Sequence, residues 1–369
     1  MREILFVAGE TSGDLHAAGV AAAIRRRDPE RPLVGIGGSR MREAGVTLME
    51  DVERLAVMGF VEVIRHIPRH WVLLRDVRRR LDQNQTGLVT LIDYPGFNMR
   101  VAERARARGV PVLYYITPQV WAWGAGRLAK LSRLITRAAV ILPFEEPLLR
   151  QHGIDATFVG HPLLDRARSM PDRATARRAL GLPDETPVLA LFPGSRGQEI
   201  ARHLDDFVAV GRELERRVPG LRVVVSVAPG IQLDDVACPF PTVRGASFEV
   251  LRAADAAFCK SGTSTLEAAV AGCPLAVGYR TNRITYAIAS RVVKVPWIGL
   301  VNVVAGRLVA PEFVQHDLIP ARVADTLEPL LLDSAPRRHM LEDLADVRSR
   351  LGAPGAADRV AEIALGMVR

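Results

Sequence analysis

The sequence predicts an α/β protein made of two doubly wound domains that face a cleft, with further helices at the C-terminus. Two observations lead there. Short apolar runs alternate with amphipathic helical patterns along most of the chain, the mark of parallel sheets covered on both faces. The alternation breaks once, at 165–186, where Arg, Asp, Pro and Ala dominate and no strand pattern occurs. That run reads as a linker with one short helix, and 369 residues are enough for a core on each side of it. The first domain is therefore placed at 1–165 and the second at 166–345, leaving 346–369 as a C-terminal helical segment.

In order, the first domain opens on the strand Glu3-Ile4-Leu5-Phe6-Val7-Ala8, and strands are expected at 33–36, 88–92, 111–116, 138–142 and 156–159. Helical patterns fill the gaps, for instance Ser12 to Arg27 and Met99 to Arg108. The second domain supplies apolar runs at 187–192, 222–227, 242–244, 256–259 and 274–278, with helices over Glu199 to Val218 and Thr263 to Ala271. From Pro320 onward the pattern is purely helical.

Composition narrows the class. Hydrophobic residues at 49% and charged residues at 24% suit a soluble globular enzyme. The formal charge is +8, and the cations are nearly all Arg, with only Lys130, Lys260 and Lys294 besides. Such a balance suits phosphate-bearing substrates, nucleic acid or an anionic membrane surface. The cysteines, Cys238, Cys259 and Cys273, form neither a C-x-x-C pair nor a cluster with His, which fits a reducing compartment. The N-terminus enters a strand directly, without a basic-then-apolar leader. No uncharged apolar run reaches the roughly 18 residues of a membrane span. The expectation is a cytoplasmic protein whose membrane contact, if any, is peripheral.

Ligands of doubly wound sheets sit outside the carboxyl ends of the strands, so the turns there are the candidates for chemistry. Pro193-Gly194-Ser195-Arg196-Gly197-Gln198-Glu199-Ile200 lies between a strand and a helix. Its glycines let backbone approach a ligand, the helix N-terminus favours an anion, and Arg196 matches phosphate geometry. An ordinary turn with a surface Arg is the other reading. Lys260-Ser261-Gly262-Thr263 repeats the arrangement, with hydroxyls on Ser261 and Thr263 and an acid, Glu267, one turn into the helix. Glu267 either accepts from two vicinal ribose hydroxyls or stabilises the helix end. In the first domain, Gly9-Glu10-Thr11-Ser12-Gly13-Asp14 closes the first strand without dinucleotide-binding spacing. Ile92-Asp93-Tyr94-Pro95-Gly96 offers a carboxylate that either takes a proton from a substrate hydroxyl or caps the next helix. Trp121 and Trp123 follow Pro118-Gln119-Val120 at another strand end. Residues 56–83 combine Phe60, Ile64, Trp71 and Leu74 at helical spacing with a crowd of Arg and His, the pattern of a membrane-surface helix or of a core helix with a basic outer face.

Taken in order, these stretches resemble the lipid-A-disaccharide synthase family. The match is carried by Val7 to Asp14, Leu55-Ala56-Val57-Met58-Gly59, Ile92-Asp93, Pro118 to Trp123, Phe158-Val159-Gly160-His161-Pro162, Pro193 to Arg196, Ser261 to Glu267, Val277-Gly278-Tyr279-Arg280 and Asn302 to Gly306. The resemblance implies Rossmann-like domains in the GT-B glycosyltransferase architecture. It implies an inverting transfer of 2,3-diacylglucosamine from UDP-2,3-diacylglucosamine to 2,3-diacylglucosamine 1-phosphate, giving the β-1,6 lipid A disaccharide 1-phosphate and UDP. Such enzymes act at the cytoplasmic face of the inner membrane of an outer-membrane-bearing bacterium, without a cofactor, a bound metal or nucleic acid.

Under that resemblance Asp93 is the base or the acceptor-orienting group, and Arg196 stabilises the departing diphosphate. Ser195, Ser261, Gly262, Thr263, Glu267, Gly278, Tyr279, Asn302 and Gln315 hold the UDP-sugar, while Glu10, Thr11, Ser12 and Trp121 face the acceptor. The 56–83 segment then reads as membrane-facing through Phe60, Ile64, Trp71 and Leu74, and the 346–369 helix as crossing back to the first domain or exchanged in a homodimer. Two positions depart from the family: Gly96 where some members carry a second acid, and Lys260 where others carry a small residue. Lys260 adds a second phosphate contact or covers the sheet. Competing readings are a UDP-N-acetylglucosamine epimerase or peptidoglycan-type glycosyltransferase, and a non-catalytic UDP-sugar-binding protein. The Pro118–Trp123 stretch speaks against the enzymes, and Asp93 together with Arg196 against the idle binder.

Overall fold

A computed structural model describes the chain apart from residues 52–62, 119–124, 232–237, 283–285, 287–294 and 369, and gives backbone only for 63–70 and 125–127. The chain divides into two compact units, Met1–Pro162 with Ala353–Arg369, and Leu163–Gly352. The division falls a few residues before the one expected. The segment that rejoins the first unit begins at Ala353, so residues 346–352 stay with the second.

The first unit holds a parallel sheet of seven strands in the order β3-β2-β1-β4-β5-β6-β7. These are β1 Glu3–Ala8, β2 Leu33–Gly37, β3 Thr47–Asp51, β4 Thr86–Ile92, β5 Val112–Tyr115, β6 Arg137–Val140 and β7 Ala156–Phe158. The central strands are buried on both faces, so their sequences run apolar without alternation. β3 lacks a strand pattern in the sequence because it is an edge strand, only partly buried, and ends in two acids. The helix Val63–Asp82 buries Leu73, Leu74, Val77 and Leu81, at i, i+1, i+4 and i+8, in one sheet-face core. Leu74, 8% exposed, is thus a core residue and not part of a membrane-facing surface. A charge there would enter the core unpaired, at a cost of several kcal/mol. Trp71, 59% exposed, and Val72, 43% exposed, lie outside that core. Phe60 falls outside the described residues, and for Ile64 only backbone is described.

The returning helix Ala356–Met367 covers the other face, where Val360, Ala361 and Ala364 join Ala17, Val20, Ala21 and Ile24 of the helix Thr11–Arg27. Asp358 binds both Arg26 and Arg27 at 2.8 Å, and Arg359 Nε donates to the Val159 carbonyl at 2.9 Å.

The second unit holds six parallel strands in the order β10-β9-β8-β11-β12-β13. They are β8 Val188–Phe192, β9 Arg222–Val227, β10 Thr242–Arg244, β11 Ala256–Lys260, β12 Leu275–Tyr279 and β13 Glu312–Val314. β13 was not anticipated, since three residues led by a Glu carry no periodicity. The Arg-rich stretch expected to be a linker is instead docked on this unit. Arg177, 1% exposed, reaches from the helix Arg173–Ala179 to Asp255 at 2.9 Å and to the Ala253 carbonyl at 3.0 Å. Asp255 also accepts from the Val188 N–H at the start of β8. A buried charge persists only when paired in this way.

Both sheets reverse their winding direction once, between β1 and β4 in the first and between β8 and β11 in the second. Crevices for ligands open at the carboxyl ends of such strand pairs. Register brings Ala8 beside Ile92 and Phe192 beside Cys259. The turns that follow are those the sequence singles out.

Candidate functional site

In the second unit the two turns after β8 and β11 are joined by one carboxylate. The helix Gly197–Arg217 opens after Arg196, and Glu199 is its third residue. Glu199 reaches back over its own helix end, past the N-cap Arg196 to the residue before it. Its Oε2 accepts from the Ser195 N–H at 3.0 Å, and its Oε1 accepts from Lys260 Nζ at 2.9 Å. Arg196 Nη1 stands 3.9 Å from the same carboxylate and is 67% exposed, so its guanidinium faces solvent. Burial alone would raise the Glu199 pKa. The Ser195 N–H and the charges of Lys260 and Arg196 outweigh it, and the carboxyl titrates below its ordinary value. Gly194 sits at φ +150, and a Cβ there would lie 2.6 Å from Glu199 Cβ, so the loop can wrap this side chain only as glycine.

The β11 turn is held from below. Ser261 Oγ donates to the Ile298 carbonyl at 2.6 Å, and the Ser261 N–H to the Gly278 carbonyl at 3.3 Å. Gly262 precedes the helix Thr263–Ala271 with φ +154, and Thr263 is exposed. Tyr279 lies against His203, ring centroids 5.6 Å apart, and against the Lys260 ammonium at 5.8 Å. His203 is 1% exposed. Its Nε2 accepts from the Arg280 N–H at 3.0 Å, which leaves Nδ1 to donate to the Glu199 carbonyl at 2.7 Å. Burial lowers its pKa, so the ring is neutral with a fixed tautomer, bracing the Glu199 turn against Tyr279. Glu199 lies in the turn the sequence singles out, but nothing in the one-dimensional pattern marks it or His203 for these contacts, since only the fold brings Lys260, Tyr279 and Arg280 to them.

In the first unit the turns after β1 and β4 meet. Asp93 and Tyr94 both have left-handed backbone, φ +46 and +47, and Ile116 at the end of β5 has φ +58. For non-glycine residues that conformation is uncommon, and for a β-branched one it is an outlier. Strain of this kind gathers at functional sites. The turn is pinned through the Asp93 carbonyl, which accepts from Tyr114 Oη at 2.7 Å and Asn98 Nδ2 at 2.7 Å. Tyr94 lays its ring over Gly9, where a Cβ would come within 2.2 Å of it. Burial and the neighbouring Glu10 carboxylate both raise the Tyr94 pKa and keep the phenol protonated. Glu10, Thr11 and Ser12 are exposed beside this turn, whereas Asp14 is buried and caps the helix Ser39–Glu43 through the N–H groups of Gly38, Arg40 and Met41. Trp121 lies outside the described residues.

A family model for lipid-A-disaccharide synthetase matches residues 4–360. The chain belongs to the lipid-A-disaccharide synthase family. A member from Myxococcus xanthus is 42% identical, covering 99% of this chain and 97% of its own length. One from Geobacter sulfurreducens is 41% identical, with 99% and 97% covered. Among solved structures, a UDP-GlcNAc 2-epimerase from Neisseria meningitidis bound to UDP-GlcNAc is similar with a TM-score of 0.66 at 13% identity, covering 99% of this chain and 100% of that one. The glycosyltransferase of kitacinnamycin gives a TM-score of 0.67 at 15% identity, with 100% and 99% covered. These likenesses show the fold, the two-sheet GT-B architecture of glycosyltransferases and epimerases.

Four of the residues expected from the lipid-A-disaccharide synthase family to hold the UDP-sugar are buried here. Asn302 is fully buried and saturated: Nδ2 donates to the Ala310 carbonyl and Glu312 Oε1, each at 2.7 Å, and Oδ1 accepts from the Val309 and Ala310 N–H groups at 2.8 Å. Gln315 closes a reciprocal pair with the Thr281 backbone, at 2.9 and 3.0 Å. Gly278 is required by packing, since a Cβ would lie 2.4 Å from the Phe258 ring. Glu267, 9% exposed, binds Arg166 Nη1 at 2.9 Å, and burial raises its pKa against that pairing. The side-chain amides of Asn302 and Gln315 are thus taken up by partners within the chain.

Proposed function

We propose that the chain moves 2,3-diacylglucosamine from UDP-2,3-diacylglucosamine to 2,3-diacylglucosamine 1-phosphate, forming the β-1,6 disaccharide 1-phosphate and releasing UDP. The observation that carries the reading is the convergence of the Ser195–Arg196 and Ser261–Thr263 turns at the switch point of one sheet, in a chain of this family. The donor diphosphate takes the exposed Arg196 guanidinium and the N–H groups of the two helix starts. As the anomeric C–O bond breaks, its electron pair passes to the β-phosphate oxygen, and fixed positive charge stabilises what develops there. Asp93 takes the proton of the acceptor hydroxyl whose oxygen attacks the anomeric carbon, so a single displacement inverts that centre.

Incubation of the protein with both lipid sugars is expected to give the disaccharide 1-phosphate and UDP by mass spectrometry. EDTA is expected to leave the rate unchanged, because arginine supplies the charge. No product from the wild-type protein would refute the assignment.

Because both substrates carry acyl chains, we read the helix Val63–Asp82 as the side that meets the cytoplasmic face of the inner membrane. No helix among the described residues is long and apolar enough to cross a membrane. Trp71 and Val72 are exposed, Arg75, Arg78 and Arg79 are exposed along the same helix, and Arg100 lies over the Trp71 ring at 5.8 Å. Apolar insertion and attraction to lipid phosphates act together on such a face. Trp71→Glu combined with Val72→Glu is expected to weaken co-sedimentation with anionic vesicles severalfold while leaving the melting temperature within a few degrees, since exposed positions contribute little to stability. Undiminished vesicle binding by the double variant would remove this surface from the reading.

A further inference from the structure

We propose that Lys260 is a second fixed cation of the diphosphate site, held in place by Glu199 and Tyr279. The inference rests on the donor reading given above and extends it to a residue outside that scheme. An ammonium carries three N–H donors. Glu199 Oε1 takes one at 2.9 Å, and the Tyr279 ring faces the ammonium at 5.8 Å. A donor is left for a third partner. The side chain is only 17% exposed, so its position is set by packing and not by a mobile stem. It is set beside the anion-favouring end of the helix Thr263–Ala271: a Cβ on Gly262 would lie 3.9 Å from Lys260 Nζ.

Glu199 is the positioning residue. One carboxylate oxygen holds the Ser195 backbone and the other holds Lys260, so it fixes the spacing of the two turns that cradle the phosphates. Arg196 and Lys260 carry two positive charges against the one negative charge of Glu199, which leaves a net attraction for a diphosphate. The bland alternative is an internal ion pair that merely covers the sheet edge. It makes a different prediction, because a structural pair has no preference among ligands that differ only in phosphate.

Binding of UDP and of uridine is compared by calorimetry for the wild type, Lys260→Met, Lys260→Arg and Arg196→Ala. Lys260→Met is expected to weaken UDP about tenfold, the size of one charge-assisted hydrogen bond, and to leave uridine within about twofold. Lys260→Arg is expected to recover most of the loss. Arg196→Ala tests the donor reading by itself, and is expected to weaken UDP but not uridine. If Arg196→Ala leaves UDP binding intact, the donor reading fails. If Arg196→Ala weakens UDP and Lys260→Met does not, only Lys260 is overturned. Equal losses for UDP and uridine in Lys260→Met would make Lys260 structural and would also overturn the inference. Uridine binding reports folding in every variant.

Discussion

Asp93→Asn is expected to lower kcat by about 10²- to 10⁴-fold, the usual worth of a positioned base. The donor KM and the melting temperature should stay near the wild-type values. The turn that carries Asp93 is strained, and left-handed backbone costs roughly 1–2 kcal/mol at each non-glycine residue. The Asp93 backbone is held on both sides. Tyr114 and Asn98 grip its carbonyl, and the N–H of Asp93 donates to the Tyr115 carbonyl at 3.3 Å. Asparagine tolerates left-handed backbone as well as aspartate does. The substitution therefore removes the proton acceptor while keeping the turn. Steady-state kinetics with both lipid sugars, beside a thermal melt, decide it. Full activity would end the base assignment and leave the donor site standing.

Asn302→Leu is expected to destabilise the second unit by about 3 kcal/mol or more, because each buried polar group left without a partner costs about 1–3 kcal/mol. The volume is nearly kept, so the loss is polar. The Val309 and Ala310 N–H groups, the Ala310 carbonyl and the Glu312 carboxylate each lose a partner. Glu312 in turn accepts from the Ile298 and Gly299 N–H groups at 2.9 and 2.8 Å, ahead of the helix Leu300–Ala305. Ile298 also supplies the carbonyl that receives Ser261 Oγ. Loss of Asn302 thus reaches the β11 turn through three successive hydrogen-bonded links. Urea denaturation followed by circular dichroism measures the effect. A variant of wild-type stability that binds UDP poorly would make Asn302 a ligand contact after all.

What was legible in the sequence was whatever rests on local pattern. The central strands carry unbroken apolar runs because both of their faces are buried, and β1, β4, β8 and β11 follow from that. Once those strands are placed, the glycine-bearing turns after them mark the crevices. β3 and β13 stay hidden because half-exposed edge strands need no apolar run. The polar residues divide by the same logic. Arg196 and Asp93 stand at strand ends, where position alone announces a role. Glu199 meets Lys260 and His203 meets Arg280 across long stretches of sequence, and no spacing encodes that. Asn302 and Gln315 show the converse, since a polar side chain near a site reads the same whether it faces a ligand or the backbone. Leu74 and Trp71 share one amphipathic helix, and the hydrophobic pattern alone does not tell its core stripe from its outer one.

The helix Ala356–Met367 belongs to the same unit as β1, although nearly the whole chain separates them. On a ribosome the strands of the first sheet are therefore made well before one of the helices that pack with them. Until that helix emerges, the alanine-lined face of the helix Thr11–Arg27 lacks its partner, and Arg26 and Arg27 have no Asp358 to bind. The second unit, by contrast, is continuous and has all of its strands before that moment. A chain cut at residue 352 would thus carry the whole of the second unit, while the first would lack the helix that covers the outer side of Thr11–Arg27.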